Sequence, residues 1–554
     1  MNLDSIGDTF AMPSTWNREL IARYESGASN QFLLYGNVED EFLLSDGKTG
    51  TLRHFLLGSL LSSFDVVLSY DLGNGLRVEK GAPIFSNWPA YKANPVLPRE
   101  PRPALDSLTH YARFAANLAR VGQLAPRVAV VVGSVQLLAP ASPGGVDHET
   151  GALALIMREW SRDTLLHESP FASFLIAENL TDLHALLTQN PRAARFKIPL
   201  PDGAQLGTAL EAFKPHSPVA LEQFSGDLKN LGLQLSGATL ASLESLLKTR
   251  EFSKTPLEPN DVARLKKELV EADAGGLIEF LLPTRTLDDL YGQEKVKAHL
   301  RADIALWNKN EVEALPKGYL LCGPVGTGKT FLVECLAGEA GVPVVKIKNF
   351  RDRWIGSTEG NLEKIFRLIG ALGRCYVFID EADQTLGRRD SGSGDSGISG
   401  RVYGMFAEEM SRSDNRGKII WILASSRPDL IEVDLKRPGR IDIKIPLLPT
   451  TTPEESFQLI RDLLKRRNLE LGCGGFDAVK TELPLLLTPG AAEALAVKVF
   501  RDVKVGSKTP IDALKESLVT YRPPVAPEVL GAQIELAVRE SSDLEWVPES
   551  LRPR

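Results

Sequence analysis

A chain of 554 residues, 43% of them apolar, is too long for one compact core, so three or four packed units are expected. Its 64 lysines and arginines against 71 acidic residues leave a net charge of -7, which argues against a surface dominated by contacts to a nucleic-acid backbone. The opening Met1-Asn2-Leu3-Asp4 lacks the basic and apolar regions of a secretory signal and no apolar run reaches the ~18 residues needed to span a bilayer, so a cytoplasmic chain with no membrane partner is expected.

Along the first half, Phe32-Leu33-Leu34-Tyr35 reads as a strand that runs into Gly36-Asn37-Val38 and then Glu39-Asp40-Glu41. A proline-rich stretch, 83–103, reads as an irregular surface insertion. Apolar strands are predicted at 128–132 and again after Phe174. Residues 235–243 resemble 487–495 further on, 256–274 is charged and helical, and Gly275-Gly276 begins a linker. Histidines are scattered without metal-ligand spacing, and the cysteines Cys322, Cys335, Cys375 and Cys473 imply neither a disulfide framework nor a structural metal.

Past the linker, the strand Tyr319-Leu320-Leu321-Cys322 leads into Gly323-Pro324-Val325-Gly326-Thr327-Gly328-Lys329-Thr330 and then a helix beginning near Phe331. This is a phosphate-binding loop in its strand-to-helix setting. Glycines let backbone N–H groups converge on phosphate oxygens, Lys329 reaches the outer phosphates, and the Thr330 hydroxyl is suited to Mg2+. A second strand, Cys375-Tyr376-Val377-Phe378-Ile379, ends in Asp380-Glu381. A carboxylate at that end of a buried strand lies where parallel sheets place ligands. Asp380 is expected to hold the metal through water, and Glu381 to orient or deprotonate an attacking water.

From about Leu287 to near the C-terminus these motifs resemble the AAA ATPases of the AAA+ superfamily. The resemblance implies ATP and Mg2+ as cofactors, with adenine passing Asp289 and Gly292 in the segment 287–293. It implies pore-loop roles for Trp354, Ile355 and Gly356, a second channel loop within 388–400, and a lid helix opening at Thr488-Pro489-Gly490-Ala491 over the nucleotide. Arg437 and Arg440, in Arg437-Pro438-Gly439-Arg440, resemble arginine fingers that reach a neighbouring subunit's site and contribute roughly 10³–10⁵ in rate. The first-sensor strand ends Ala424-Ser425-Ser426, with Ser426 where the family usually has asparagine, so slow hydrolysis is expected. The segment 510–525 is similar to the helix and proline turn that close many members of the family.

The first half repeats the second. Residues 174–201 align without a gap on 421–448 at an offset of 247, with eight identities where roughly two are expected from average usage. The same offset lays 128–132 on 375–379, and an offset of 287 lays 32–38 on 319–325. The chemistry is missing from this copy. Gly133 and Ser134 stand for Asp380 and Glu381, Asn190 and Ala193 for Arg437 and Arg440, and Glu39-Asp40-Glu41 would repel a triphosphate. An inert module followed by a complete one resembles a poorly characterised bacterial and plastid group of AAA proteins.

The expected fold is therefore α/β, with two tandem P-loop modules, each a parallel sheet flanked by helices and followed by a helical lid, the first degenerate. The expected division is a degenerate domain at 1–205, its lid and linker at 206–275, an active ATPase domain at 276–449 and a second lid at 450–554. The expected activity is ATP hydrolysis by a homo-oligomeric ring, a hexamer by resemblance, that remodels or threads a protein client. The alternative is a slow nucleotide-gated assembly switch. Nucleic acid is not an expected partner, since the acidic balance comes with no binding motif.

Overall fold

The computed structural model of the chain describes residues 15–44, 46–141, 147–258, 262–281, 284–348, 357–386, 396–472, 475–506 and 508–553. Compactness groups Met1–Gly275 with Phe350–Leu372 in one unit, and Gly276–Asn349 with Gly373–Arg554 in a second.

The first unit holds β1 (Gln31–Gly36), a small antiparallel pair β2 (Phe42–Leu43) and β3 (Thr49–Gly50), then β4 (Val66–Asp71), β5 (Gly75–Lys80), β6 (Val128–Val132), β7 (Phe171–Ala177) and β8 (Ala193–Ile198). Its main sheet has the order β5-β4-β6-β7-β1-β8, parallel except for the β4–β5 hairpin. The second unit holds β9 (Ile278–Leu281), β10 (Gly318–Cys322), β11 (Val344–Ile347), β12 (Cys375–Ile379), β13 (Ile419–Ser425) and β14 (Ile443–Pro446). Its order is β14-β10-β13-β12-β11-β9, with β9 antiparallel. Five parallel strands thus follow one another identically in the two sheets, β8-β1-β7-β6-β4 and β14-β10-β13-β12-β11, which is the repeat read from the sequence. The sixth strand differs in origin. In the first sheet it returns from β4 by a hairpin, and in the second it arrives from upstream.

Central strands such as β6 (VAVVV) and β12 (CYVFI) are buried along their whole length. β-branched and aromatic runs of this kind suit a parallel sheet covered on both faces. One face of the first sheet packs around Trp160, Tyr111 and Leu105, and the other around Phe32, Phe174 and Phe64. The second sheet packs Tyr319, Tyr376 and Trp307 against the helix Lys329–Ala340.

Each sheet is followed by four helices with their own apolar cluster, 203–273 in the first unit and 453–519 in the second. Both sets open on a capping box, Asp202 with Gln205 and Thr452 with Glu455. A side chain at each of these N-caps satisfies N–H groups that the first helical turn leaves without partners. The helix Pro527–Glu540 then packs back on β10 and β14, where Glu540 pairs with Lys436 and Lys444.

The proline-rich stretch lies at the surface, without helix or strand over 94–100 as expected, but short helices interrupt it. Pro83, Pro89 and Pro101 sit in the first turns of helices Ala82–Phe85, Pro89–Ala93 and Pro101–Arg120, positions where a missing N–H costs nothing. Phe85 is 2% exposed, with its ring centroid 4.7 Å from that of Tyr111. Phe85 is thus the residue by which the segment 83–100 enters the core beside β4 and β5, with Trp88, Tyr91 and Leu97 partly buried against it.

Candidate nucleotide site

The loop after β10 is shaped by close packing and by left-handed backbone. A Cβ on Gly323 would stand 2.1 Å from the Leu447 carbonyl oxygen, and Gly326 and Gly328 both have φ of 84°. Such φ values suit glycine and strain other residues. Thr327 Oγ1 donates to the Pro324 carbonyl at 2.9 Å, which tightens the loop, and the helix Lys329–Ala340 starts directly after Gly328. Lys329 Nζ donates to the carbonyls of Gly323 and Pro324 at 2.8 and 2.9 Å. Burial lowers the pKa of this ammonium, opposed by the nearby carboxylates of Asp380, Asp383 and Glu381.

The lid touches this loop. Gly490 N–H donates to the Gly326 carbonyl at 2.8 Å, and Thr488 caps its helix by accepting from Ala491 N–H at 3.3 Å. Phe331 is half-buried between two guanidinium groups, Arg285 at 4.8 Å and Arg466 at 6.0 Å from the ring centroid. In the segment expected to pass adenine, Asp289 spends its carboxylate on the Thr286 N–H at 3.0 Å, and Gly292 turns the chain with φ of 65°.

β12 delivers the acidic pair. Asp380 Oδ2 accepts from Thr330 Oγ1 at 3.2 Å and from Lys346 Nζ at 2.9 Å, while Oδ1 accepts from Glu381 N–H at 3.1 Å. Glu381 is exposed in left-handed backbone, φ 47° and ψ 49°. At the end of β13, Ser425 Oγ donates to Asp383 Oδ1 at 2.5 Å and accepts from Arg427 N–H at 2.9 Å. Ser426, the residue singled out in the sequence, is half-buried beside it.

The two candidate finger arginines differ. Arg437 has a side chain 68% exposed and pairs with Asp434 at 2.9 Å. Arg440 is turned in, with Nε donating to Ser411 Oγ at 2.8 Å and NH1 bonded to the carbonyl and the carboxylate of Asp434. Trp354, Ile355 and Gly356 lie outside the described residues, as does most of the expected second channel loop.

Three partners were not singled out from sequence. Gln533 Oε1, on the helix Pro527–Glu540, accepts from Val325 N–H at 3.3 Å. Lys346 reaches Asp380 from β11, and Ser425 rather than Ser426 holds Asp383. Each depends on chain folding across 34 to 208 residues, and only the Lys346-Ile347-Lys348 alternation, which puts a lysine on the Asp380 face, left a trace in the sequence.

The first sheet carries the same loop with other contents. A Cβ on Gly36 would meet the Ile198 carbonyl oxygen at 2.5 Å, so this glycine persists for strand packing as Gly323 does. The expected repulsion by free carboxylates is modified at Asp40, which is 6% exposed and turned onto the lid. It accepts from Leu240 and Ala241 N–H at 3.2 and 3.0 Å, from Glu41 N–H at 2.8 Å and from Asn37 Nδ2 at 2.8 Å. Asn190, in the place of Arg437, is buried and bonds Gln31 and Ser161 at 2.9 Å each. Trp16, Phe42 and Phe55 line a small cleft beside Asp40.

Comparison with known proteins matches a family to part of each half of the chain. Residues 9–199 match the family described as "AAA+ chaperone, N-terminal Rossmann-like domain", and residues 319–448 match "ATPase family associated with various cellular activities (AAA)". Similar proteins include the peroxisomal ATPase PEX6 of Dictyostelium discoideum, 26% identical over 43% of this chain and 22% of its own length. A cell division cycle protein 48 homolog of Archaeoglobus fulgidus is 30% identical over 37% of this chain and 28% of its own. An ATP-dependent zinc metalloprotease FtsH of Lancefieldella parvula is 32% identical over 29% and 26%. The chain thus spans less than a third of the length of these relatives. With its Rossmann-like first domain and the phosphate loop, acidic pair and lid of its second, the chain belongs to the AAA+ ATPases.

Proposed function

We propose that the protein binds ATP with Mg2+ in its second unit and hydrolyses it as a ring of identical subunits, using the cycle to remodel a protein client. The observation that carries this reading is the meeting, at the carboxyl ends of β10, β12 and β13, of the Lys329 loop, the Asp380–Glu381 pair and the lid residue Gly490. The donor set fits the metal. The Thr330 hydroxyl and the Asp380 carboxylate, 3.2 Å apart, are hard oxygen donors of the kind that hold Mg2+ beside nucleotide phosphates, the hydroxyl directly and the carboxylate through water. Mg2+ would neutralise charge building on the transferring phosphoryl group. Glu381 would take a proton from the attacking water, a role its exposure at the strand end supports.

Arg437, exposed and held by a single surface carboxylate, supports completion of the site by a neighbouring subunit. No described helix is long and apolar enough to cross a membrane. Phosphate release by the purified protein, compared with Lys329→Ala, tests the site. Native mass measurement with and without nucleotide tests the ring. Retention of full client remodelling by Trp354→Ala would remove threading from the proposal and leave the ATPase.

The slow-switch reading rests on Ser426. Its side chain is shorter than the usual asparagine, and the serine hydroxyl that does bond an acidic residue, Ser425, is committed to Asp383. Single-turnover kinetics with and without client separate the two, because a switch turns over slowly and is not accelerated by client.

A further inference from the structure

β11 and β12 pair in parallel with Lys346 opposite Phe378. Side chains alternate faces along a strand, so Asp380, two residues beyond Phe378, lies on the same face, diagonal to Lys346 and within reach of a long side chain. The lysine uses that reach. Its Nζ is 5.5 Å from the Phe378 ring centroid and 2.9 Å from Asp380 Oδ2, and both side chains of the pair are about a quarter exposed, 27% and 26%. Oδ2 is also the oxygen that accepts from the Thr330 hydroxyl. The two groups expected to face the metal thus meet at one oxygen, and an ammonium is already bonded to it.

The degenerate sheet supports a link between this lysine and its carboxylate. There Gly133 replaces Asp380, and β4 pairs with β6 so that Ser69 stands opposite Val131, the counterpart of Phe378 at the 247-residue offset. Where the carboxylate is missing, so is the lysine.

We propose that Lys346 is a positioning residue that holds the metal-directed oxygen of Asp380 and competes with Mg2+ for it. The inference rests on the reading of this site as one for Mg2+ and ATP. Without nucleotide, the ammonium neutralises Asp380 and fixes its rotamer. A water of the hydrated cation would need the lone pair of Oδ2 that the ammonium occupies, and the two like charges would repel. Lys346 would therefore have to leave Oδ2 for Mg2+ to be held there, and the site would favour the metal only when phosphates bring further negative charge. The lysine makes metal binding dependent on nucleotide.

The test titrates Mn2+, a paramagnetic substitute for Mg2+, into the full-length protein by electron paramagnetic resonance, with and without a non-hydrolysable ATP analogue. The proteins compared are the wild type, Lys346→Met, Lys346→Gln and Lys346→Arg. The expected result is that both uncharged variants bind Mn2+ about tenfold more tightly than the wild type in the absence of nucleotide. The advantage should shrink when nucleotide is present, and Lys346→Arg should stay near the wild type. Unchanged or weaker Mn2+ binding in both uncharged variants, with wild-type melting curves, overturns the proposal. The Gln variant retains a side-chain N–H donor to Asp380 should Met disturb folding. If the wild type itself binds neither Mn2+ nor nucleotide, the reading of the site fails instead.

Discussion

Ser134 and Glu381 stand at equivalent positions of the two sheets and share one backbone conformation, φ 48° and ψ 47° in the first, φ 47° and ψ 49° in the second. Both precede a four-residue helix, Val135–Leu138 and Ala382–Thr385. Left-handed backbone at a residue with a side chain costs of order 1 kcal/mol and persists where its surroundings over-determine it. In the second sheet the turn presents a carboxylate at the strand end. In the first the same turn carries a serine, so the backbone conformation belongs to the fold and does not depend on the carboxylate.

Glu381→Gln should therefore keep the turn and the fold while removing the base. Phosphate release should fall at least 100-fold, the range of general base catalysis, with binding of a fluorescent ATP analogue retained. A variant that turned over ATP at the wild-type rate would remove Glu381 from the reaction.

Asp40→Ala addresses the silent module. Its carboxylate ties the loop after β1 to the first turn of the helix Leu240–Phe252, the part of the module that corresponds to the lid contact of the nucleotide site. Loss of the cap should cost about 1–2 kcal/mol, seen as a lower melting temperature of the first unit. Added ATP should not restore it, because the tie is a side chain and not a ligand. Recovery with ATP would show that the first unit binds nucleotide.

Much of this was legible in the chain because the strands are continuous apolar runs and the motifs sit at their ends, where spacing survives even when chemistry does not. The 247-residue offset matched β6, β7 and β8 to β12, β13 and β14, with Ser134 in the place of Glu381, and the 287-residue offset matched β1 to β10, but neither gave the order of the strands in the sheets. What escaped was lateral. Lys346 finds Asp380 through strand register, Gln533 finds Val325 from a helix 208 residues away, and Asp40 finds Leu240 across 200 residues. Read alone, Glu39-Asp40-Glu41 looks like three free charges, and only the fold shows that the middle one is buried among N–H donors. The short helices of the proline-rich stretch escaped because proline stops a helix in its interior but starts one at its first turn.

Glu540 gives a pH dependence. Burial raises its carboxyl pKa, but hydrogen bonds and charge from Lys436 and Lys444 outweigh this and leave it below the ordinary value of 4.5. A carboxyl depressed in the folded state contributes stability that is present above its unfolded pKa and lost as pH falls through the folded one. Glu540→Gln should thus destabilise the second unit at pH 7 by on the order of 2–3 kcal/mol, since Lys436, 9% exposed, loses its counter-charge. The gap between wild-type and variant melting temperatures should narrow as pH falls below about 4.5 and on through the folded pKa. A gap that stayed constant to pH 3 would mean that the pair contributes through packing alone.

The difference between Arg437 and Arg440 bears on whether the site is completed from outside the subunit. Arg437 is exposed and makes a surface ion pair, which contributes ~0–1 kcal/mol, so Arg437→Ala should leave the melting temperature nearly unchanged. Arg440 is bonded to Ser411 and Asp434 within its own unit, so Arg440→Ala should lower stability as well as turnover. If Arg437 acts as a finger, its removal should cost roughly 10³-fold in turnover. Mixing then decides where it acts. Arg437→Ala and Glu381→Gln are each expected to be inactive alone, but in a mixed ring some sites combine an intact Glu381 with an intact Arg437 supplied by the neighbour. Phosphate release should therefore reappear when the two variants are mixed, rise to a maximum at intermediate ratios, and vanish at either extreme. An equimolar mixture as inactive as its components, in rings shown by native mass measurement to contain both, would place Arg437 in its own subunit's site or outside the reaction.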